Sequence, residues 1–138
     1  MGEGDPAFTA LAERPVQAEH LVLAGMRAPD PPERAFVEER RIRSISPGSL
    51  IEGPAELLRG TGLRRAYLHL DLDVCDPREV PTVACPTPGG VPVSALVRTL
   101  EAISSEVEVV GAGITEALLE GRSMSFELQP IFDWYGRL

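Results

Sequence analysis

Apolar residues in this chain fall into short β-rich runs separated by stretches with helical spacing. The first run, residues 20–26, is followed by Pro29, Pro31 and Pro32, which end a strand and open a helix. Residues 32–39 suit that helix, residues 42–45 a second short strand, and residues 53–58 the start of another helix. A third run, residues 66–74, lies between the Gly60/Gly62 break and Asp76-Pro77 and predicts a central strand. Leu96, Leu100 and Ile103 recur at helical spacing within residues 93–104, before a strand over 107–114 and a closing helix over 123–135. Strands alternating with helices at this spacing predict an α/β fold: a mainly parallel sheet with helices on both faces, in three layers.

With 138 residues, 43% of them hydrophobic, the chain falls in the size range of one globular domain. No internal repeat or low-complexity tract divides it, and the Pro/Gly-rich residues 77–92 read as one long functional loop. The net charge of −8 argues against nucleic acid or an anionic membrane as partner, because both require a basic face. No apolar run reaches the roughly 20 residues that span a bilayer, and the first residues have no leader pattern, so a cytoplasmic protein is expected. There Cys75 and Cys85 would stay reduced, and their ten-residue spacing does not suit a zinc site.

A strand's period of two sends Tyr67, His69, Asp71 and Asp73 to one face and Leu68, Leu70, Leu72 and Val74 to the other. Two carboxylates thus leave the same face at the strand's carboxyl end. Neighbouring buried like charges are costly unless a cation neutralises them, and oxygen ligands suit Mn²⁺ or Mg²⁺. The plain alternative makes Asp71 and Asp73 end-of-strand turn residues. Ligands of open parallel sheets bind beyond the carboxyl ends of the strands. Two further strand ends carry acids, Asp30 and Glu33 after the first and Glu116 after the last. Taken singly, Asp30 and Glu33 could cap a helix and Glu116 could be a solvated loop charge; together they form an acidic rim.

The stretch Leu70-Asp71-Leu72-Asp73-Val74-Cys75-Asp76-Pro77, with Pro81, Pro86 and Gly89-Gly90 behind it, resembles the ureohydrolase segment Phe-Asp-x-Asp-x-x-Asp-Pro of the arginase/agmatinase family. Glu116 follows Asp71 by 45 positions, the separation of the substrate-binding glutamate in arginases, and Gly25-Met26-Arg27 resembles the family's Gly-x-Arg segment. The resemblance covers residues 18–118 and implies the carboxyl-terminal portion of an arginase-like domain, incomplete on its amino-terminal side. It also implies a site with two Mn²⁺ ions, in which Asp71 bridges the pair and Asp73 ligates one ion. Glu116 would hold the guanidinium of a small guanidino substrate, and Asp30 and Glu33 would approach its amino end. Urea is the implied product.

The family's Gly-Gly-Asp-His and Asp-x-His-x-Asp segments do not occur, and only His20 and His69 are present. No catalytic residue is assigned, and the chain alone is expected to be inactive, working as a homo-oligomer or with a complementing amino-terminal portion. Ala84-Cys85-Pro86 stands where the family has Gly-Thr-Pro, Ala28 stands where arginases carry an acid, and the usual Pro after Glu116 is missing. The rival reading is a non-catalytic remnant or subunit that binds metal or guanidinium, or serves as an interaction module. A dehalogenase-like phosphatase, which also uses Asp-x-Asp after a strand, fits poorly because the chain has no lysine.

Overall fold

A computed structural model describes residues 4–53, 55–118 and 126–138. Helix α1 spans Pro6–Thr9, strand β1 Val22–Ala24, helix α2 Pro31–Glu39, strand β2 Arg43–Ile45, and helices α3 and α4 Pro47–Glu52 and Ala55–Leu58. Strand β3 covers Arg65–Asp71, helix α5 Val93–Glu106, strand β4 Glu108–Thr115 and helix α6 Gln129–Tyr135. Both strand pairings are parallel, as the alternation of elements requires. The expected single sheet is nevertheless divided among the described residues: β1 pairs with β2, and β3 with β4.

The local starts and stops have local causes. Asp30 caps α2 by accepting the Glu33 N–H at 2.8 Å, and Glu33 Oε2 accepts the Asp30 N–H at 3.0 Å, a reciprocal capping box ahead of Pro31. Ser46 does the same for α3, accepting the Ser49 N–H at 3.1 Å, so a helix stands at residues 47–52 where none was expected. The last helix begins at Gln129 after a short 3-10 turn over Phe126–Leu128; residues 123–125 of its expected range lie outside the described residues.

Strand β3 stops three residues earlier than its apolar pattern suggests. Asp71 Oδ1 accepts the Asp73 N–H at 2.9 Å and Leu72 O accepts the Cys75 N–H at 3.0 Å, which winds Leu72–Val74 into a 3-10 turn. Up to Asp71 the alternation holds: Tyr67, His69 and Asp71 are exposed, Ala66 and Leu68 half-buried, and Leu70 buried. Asp73 therefore belongs to the turn, not to the strand face that carries Asp71.

The core lies on the Leu70 side of β3, beneath α5 and α6. Leu96, Leu100 and Ile103 of α5 meet Ile131 and Trp134 of α6 there, and the Trp134 indole N–H donates to Ser104 Oγ at 3.1 Å. Leu72 and Ile131 are wholly buried; each such side chain stabilises the fold by about 1.5–3 kcal/mol relative to exposure. The opposite face of β3 and β4 is open, leaving Tyr67 63% and Val110 48% exposed.

Residues 77–92 contain no helix or extended strand, yet their base is fixed by backbone. Val91 N–H donates to Val74 O at 2.8 Å and Asp76 N–H to Val91 O at 3.1 Å, forming a parallel bridge between Cys75 and Val91. Gly90 makes that approach possible, since a Cβ there would overlap the Cys75 carbonyl and the Asp76 nitrogen. Replacing Gly90 with Ala is expected to destabilise the protein by about 1–3 kcal/mol through backbone overlap, read as a lower urea midpoint with unchanged slope.

Candidate functional site

Parallel pairing brings the carboxyl ends of β3 and β4 side by side, with Asp71 opposite Thr115, the residue before Glu116. Asp71 is exposed and Asp73 half-buried. Both Asp73 oxygens lie within reach of the Cys85 N–H, at 3.2 and 3.1 Å, so residues 77–92 fold back over the end of β3. Glu116 is exposed, with φ of +64°, a region non-glycine residues seldom occupy. Its neighbours hold it there: Leu118 N–H donates to Thr82 O at 3.0 Å, and Val83 and Ala117 form an antiparallel bridge. His69 sits on the exposed face with Nε2 3.3 Å from Thr115 Oγ1.

A cavity of about 720 Å³ opens between β1, α2 and the end of β3. Leu21, Leu23, Phe36 and Val37 give it apolar walls, and Asp71, Asp73, Arg27 and Glu33 bring charge to it. Glu33 thus reaches the cavity while its carboxylate also completes the α2 capping box; Asp30 caps the same helix from an exposed position. Cys85 and Thr87 also line the cavity.

Arg27, which the sequence marked only as part of the Gly25-Met26-Arg27 segment without a role, is tied to the site by its hydrogen bonds. Its guanidinium Nε and Nη2 donate to Thr87 O at 3.1 and 2.7 Å, and Nη2 also donates to the carbonyls of Asp73 and Cys75. A lone arginine directly after an apolar strand was the available signal, but its acceptors lie 46 to 60 positions away in sequence.

Oxygen donors such as Asp71 and Asp73 suit a divalent ion of the Mn²⁺ type. Their number is short: among the described residues, no group of three or more His, Cys, Asp or Glu side chains is placed to hold a metal. The two cysteines differ sharply. Cys75 is buried and its pKa is raised from 9.0 to about 12, first by desolvation and then by Glu79, whereas Cys85 is exposed. Among the described residues no helix is long and apolar enough to cross a membrane.

These features define a parallel α/β chain whose carboxylates gather at the carboxyl ends of adjacent strands. The model of the arginase family matches residues 2–118, and the chain belongs to that family. An N(1)-aminopropylagmatine ureohydrolase of Thermus thermophilus is 34% identical over 106 residues, which cover 74% of this chain and 36% of the relative. An arginase of Schizosaccharomyces pombe is 28% identical over 119 residues, covering 80% of this chain and 37% of the relative. The chain therefore spans little more than a third of the length of these relatives. Among solved structures, an arginase from Bacillus caldovelox superposes on 98% of the chain with a TM-score of 0.81 at 24% identity, using 48% of its own length. The fold is thus the arginase α/β fold, represented here by about half of such a chain.

Asp76 anchors the far side of the turn. Its side chain is only 6% exposed and accepts from the Arg78 backbone N–H at 2.9 Å and from the guanidinium at 2.8 and 2.9 Å. These bonds lower the Asp76 pKa from 3.8 to about 2. A folded-state pKa below the unfolded one contributes stability that is fully present above pH 3.8 and is lost as pH falls through about 2. Acid titration of the wild type and of Asp76→Asn is expected to show a stability gap at neutral pH that narrows over this window.

Proposed function

We propose that this chain is the carboxyl-terminal part of a binuclear-manganese ureohydrolase, a hydrolase of linear guanidino compounds of the arginine or agmatine type that releases urea. The observation that carries the proposal is the Asp71 and Asp73 pair at the end of β3 beside Glu116 at the end of β4, in a chain of the arginase family. Relatives named as arginases and as an N(1)-aminopropylagmatine ureohydrolase support the substrate class.

In this reading Asp71 and Asp73 hold manganese. Asp71 Oδ1 is engaged by the Asp73 N–H, which fixes the carboxylate's rotation. The Cys85 N–H is shared between the two Asp73 oxygens and restrains that group in the same way. When bound, a pair of divalent ions supplies Lewis acidity and a water of lowered pKa. Glu116 accepts a substrate guanidinium through paired charge-assisted bonds, a geometry that matches its planar fork of donors. Glu33, on the cavity wall at the start of α2, meets the cationic amino end of the substrate, with Asp30 beside it in the capping box. The cavity that Glu33, Asp71 and Asp73 line has apolar walls that suit an aliphatic chain, and Glu116 lies outside that lining.

A second reading has the chain bind metal or guanidinium without catalysis, and the donor count among the described residues favours it. Two carboxylates leave most of an ion's coordination positions to water, so a weak site and no turnover are expected of the chain by itself.

Two measurements test these readings. Calorimetric titration with Mn²⁺ is expected to show weak binding that Asp71→Ala and Asp73→Ala each abolish; binding that both variants retain would remove these residues from the site. Urea release from arginine, agmatine or guanidinobutyrate is expected to stay at background with the purified chain and added Mn²⁺. Turnover under those conditions would mean that this chain or its oligomer supplies a complete set of ligands.

A further inference from the structure

We propose that the gap between β1 and β3 is a docking groove for one extended apolar strand, supplied by the half of the arginase fold that this chain does not contain. The inference rests on reading the chain as the carboxyl-terminal part of such a fold. The two strand pairs belong to one layer. Both are parallel, and Ile45 and Leu50 enter the same core as Leu70, Leu72 and Leu96. At their carboxyl ends β1 and β3 meet: a Cβ on Gly25 would overlap the Val74 side chain, and the Arg27 guanidinium donates to the carbonyls of Asp73 and Cys75. No ladder joins them, since among the described residues β1 is bonded to β2 alone and β3 to β4 alone.

The free edge of β1 and the cavity beside it suit that occupant. Gly25 N–H donates to Ile45 O at 2.8 Å, in the register that sets Ala24 opposite Ile45. Successive residues of a strand turn their backbone groups to opposite edges, so Val22 and Ala24 direct N–H and C=O away from β2, into the gap. The cavity follows β1 along its whole length, from Leu21 before the strand to Arg27 after it. A small ligand at the acidic end does not require a groove of that length. The lining also changes along the strand: Leu21, Leu23 and Ile42 are apolar, whereas Glu33, Asp71 and Asp73 lie beyond the strands' carboxyl ends. A strand laid along β1 would satisfy the edge with main-chain bonds and seat alternate side chains in the apolar trench, leaving the acidic end open. Parallel neighbours on either side favour a parallel occupant, buried on both faces and therefore apolar almost throughout. The source is in proportion: 98% of this chain superposes on 48% of the Bacillus caldovelox arginase, so about half of that fold lies outside it.

The probe is the amino-terminal part of the Thermus thermophilus N(1)-aminopropylagmatine ureohydrolase, up to the start of its 106 matched residues. Mixed with the full chain, it is expected to form a complex by sedimentation and to slow hydrogen exchange at the Ala24 amide. Ala24→Pro removes an edge donor without touching the bonds to β2, a change that edge strands tolerate. It is expected to weaken the complex by about tenfold or more, while exchange at the Gly25 amide, bonded to Ile45, stays as in the wild type. Leu23→Asp charges the trench and leaves every backbone bond in place; the same weakening is expected, which covers the case of a misfolded proline variant. Unchanged affinity in both variants, or Ala24 exchange that the probe does not alter, would overturn the groove and leave the carboxyl-terminal reading standing. Absence of any complex at micromolar concentration would remove that reading and the groove with it. Self-association of the chain that protects Ala24 without the probe would assign the edge to a second copy and equally overturn the proposal.

Discussion

The backbone bridge between Cys75 and Val91 is the constraint on which the rest of the site depends. It closes residues 77–92 into a loop with a fixed base, and from that base the chain proceeds directly into α5. The helix has no side-chain cap of its own at Pro92; Glu79, from the early part of the loop, accepts the Val93 N–H at 2.8 Å instead. A negative charge at that position also complements the helix dipole. The same short stretch thus sets the start of the principal core helix and the path that returns Cys85 to Asp73. Val80 and Val91, wholly buried, and Val83, nearly so, tie the loop into the core, which explains how so many residues without regular structure remain in one place.

The sequence made legible whatever was decided locally. Alternation over residues 66–71 identified a strand, the Leu96, Leu100 and Ile103 spacing identified a helix, and Asp30-Pro31-Pro32-Glu33 carried a capping signature. The end of β3 was not legible, because an aspartate in a strand and an aspartate that turns the chain give the same pattern; only the hydrogen bond to Asp73 decides between them. Ser46 ahead of Pro47 was a readable start signal for α3 that the strand before it obscured. The division of the sheet into β1-β2 and β3-β4 was beyond reach, since strand neighbours are a property of the whole domain and periodicity cannot supply them.

Candidate residues divide along the same line. Asp71, Asp73 and Glu116 were singled out from strand ends and spacing, and the parallel register places the ends of β3 and β4 side by side. Asp30 and Glu33 have a complete local occupation as the capping box of α2, so any contact with a ligand is additional to work they already perform. Arg27 has no local partner of the kind a motif encodes. Its meaning lies in carbonyls far along the chain, and backbone acceptors leave no trace in a sequence. The relatives, of which this chain spans little more than a third, define the family without determining what these residues do together.

The contrast between the two sulfurs has a practical side. Cys75 is sealed beneath the loop with its thiol held in the protonated form, whereas Cys85 is exposed at the Asp73 carboxylate. A maleimide dye or nitroxide applied to the folded protein therefore has one place to attach, on the residue whose backbone N–H bonds the Asp73 carboxylate, without any residue being engineered. The wild-type chain carries its own addressable reporter, and a paramagnetic ion arriving at Asp73 would broaden or quench that label directly.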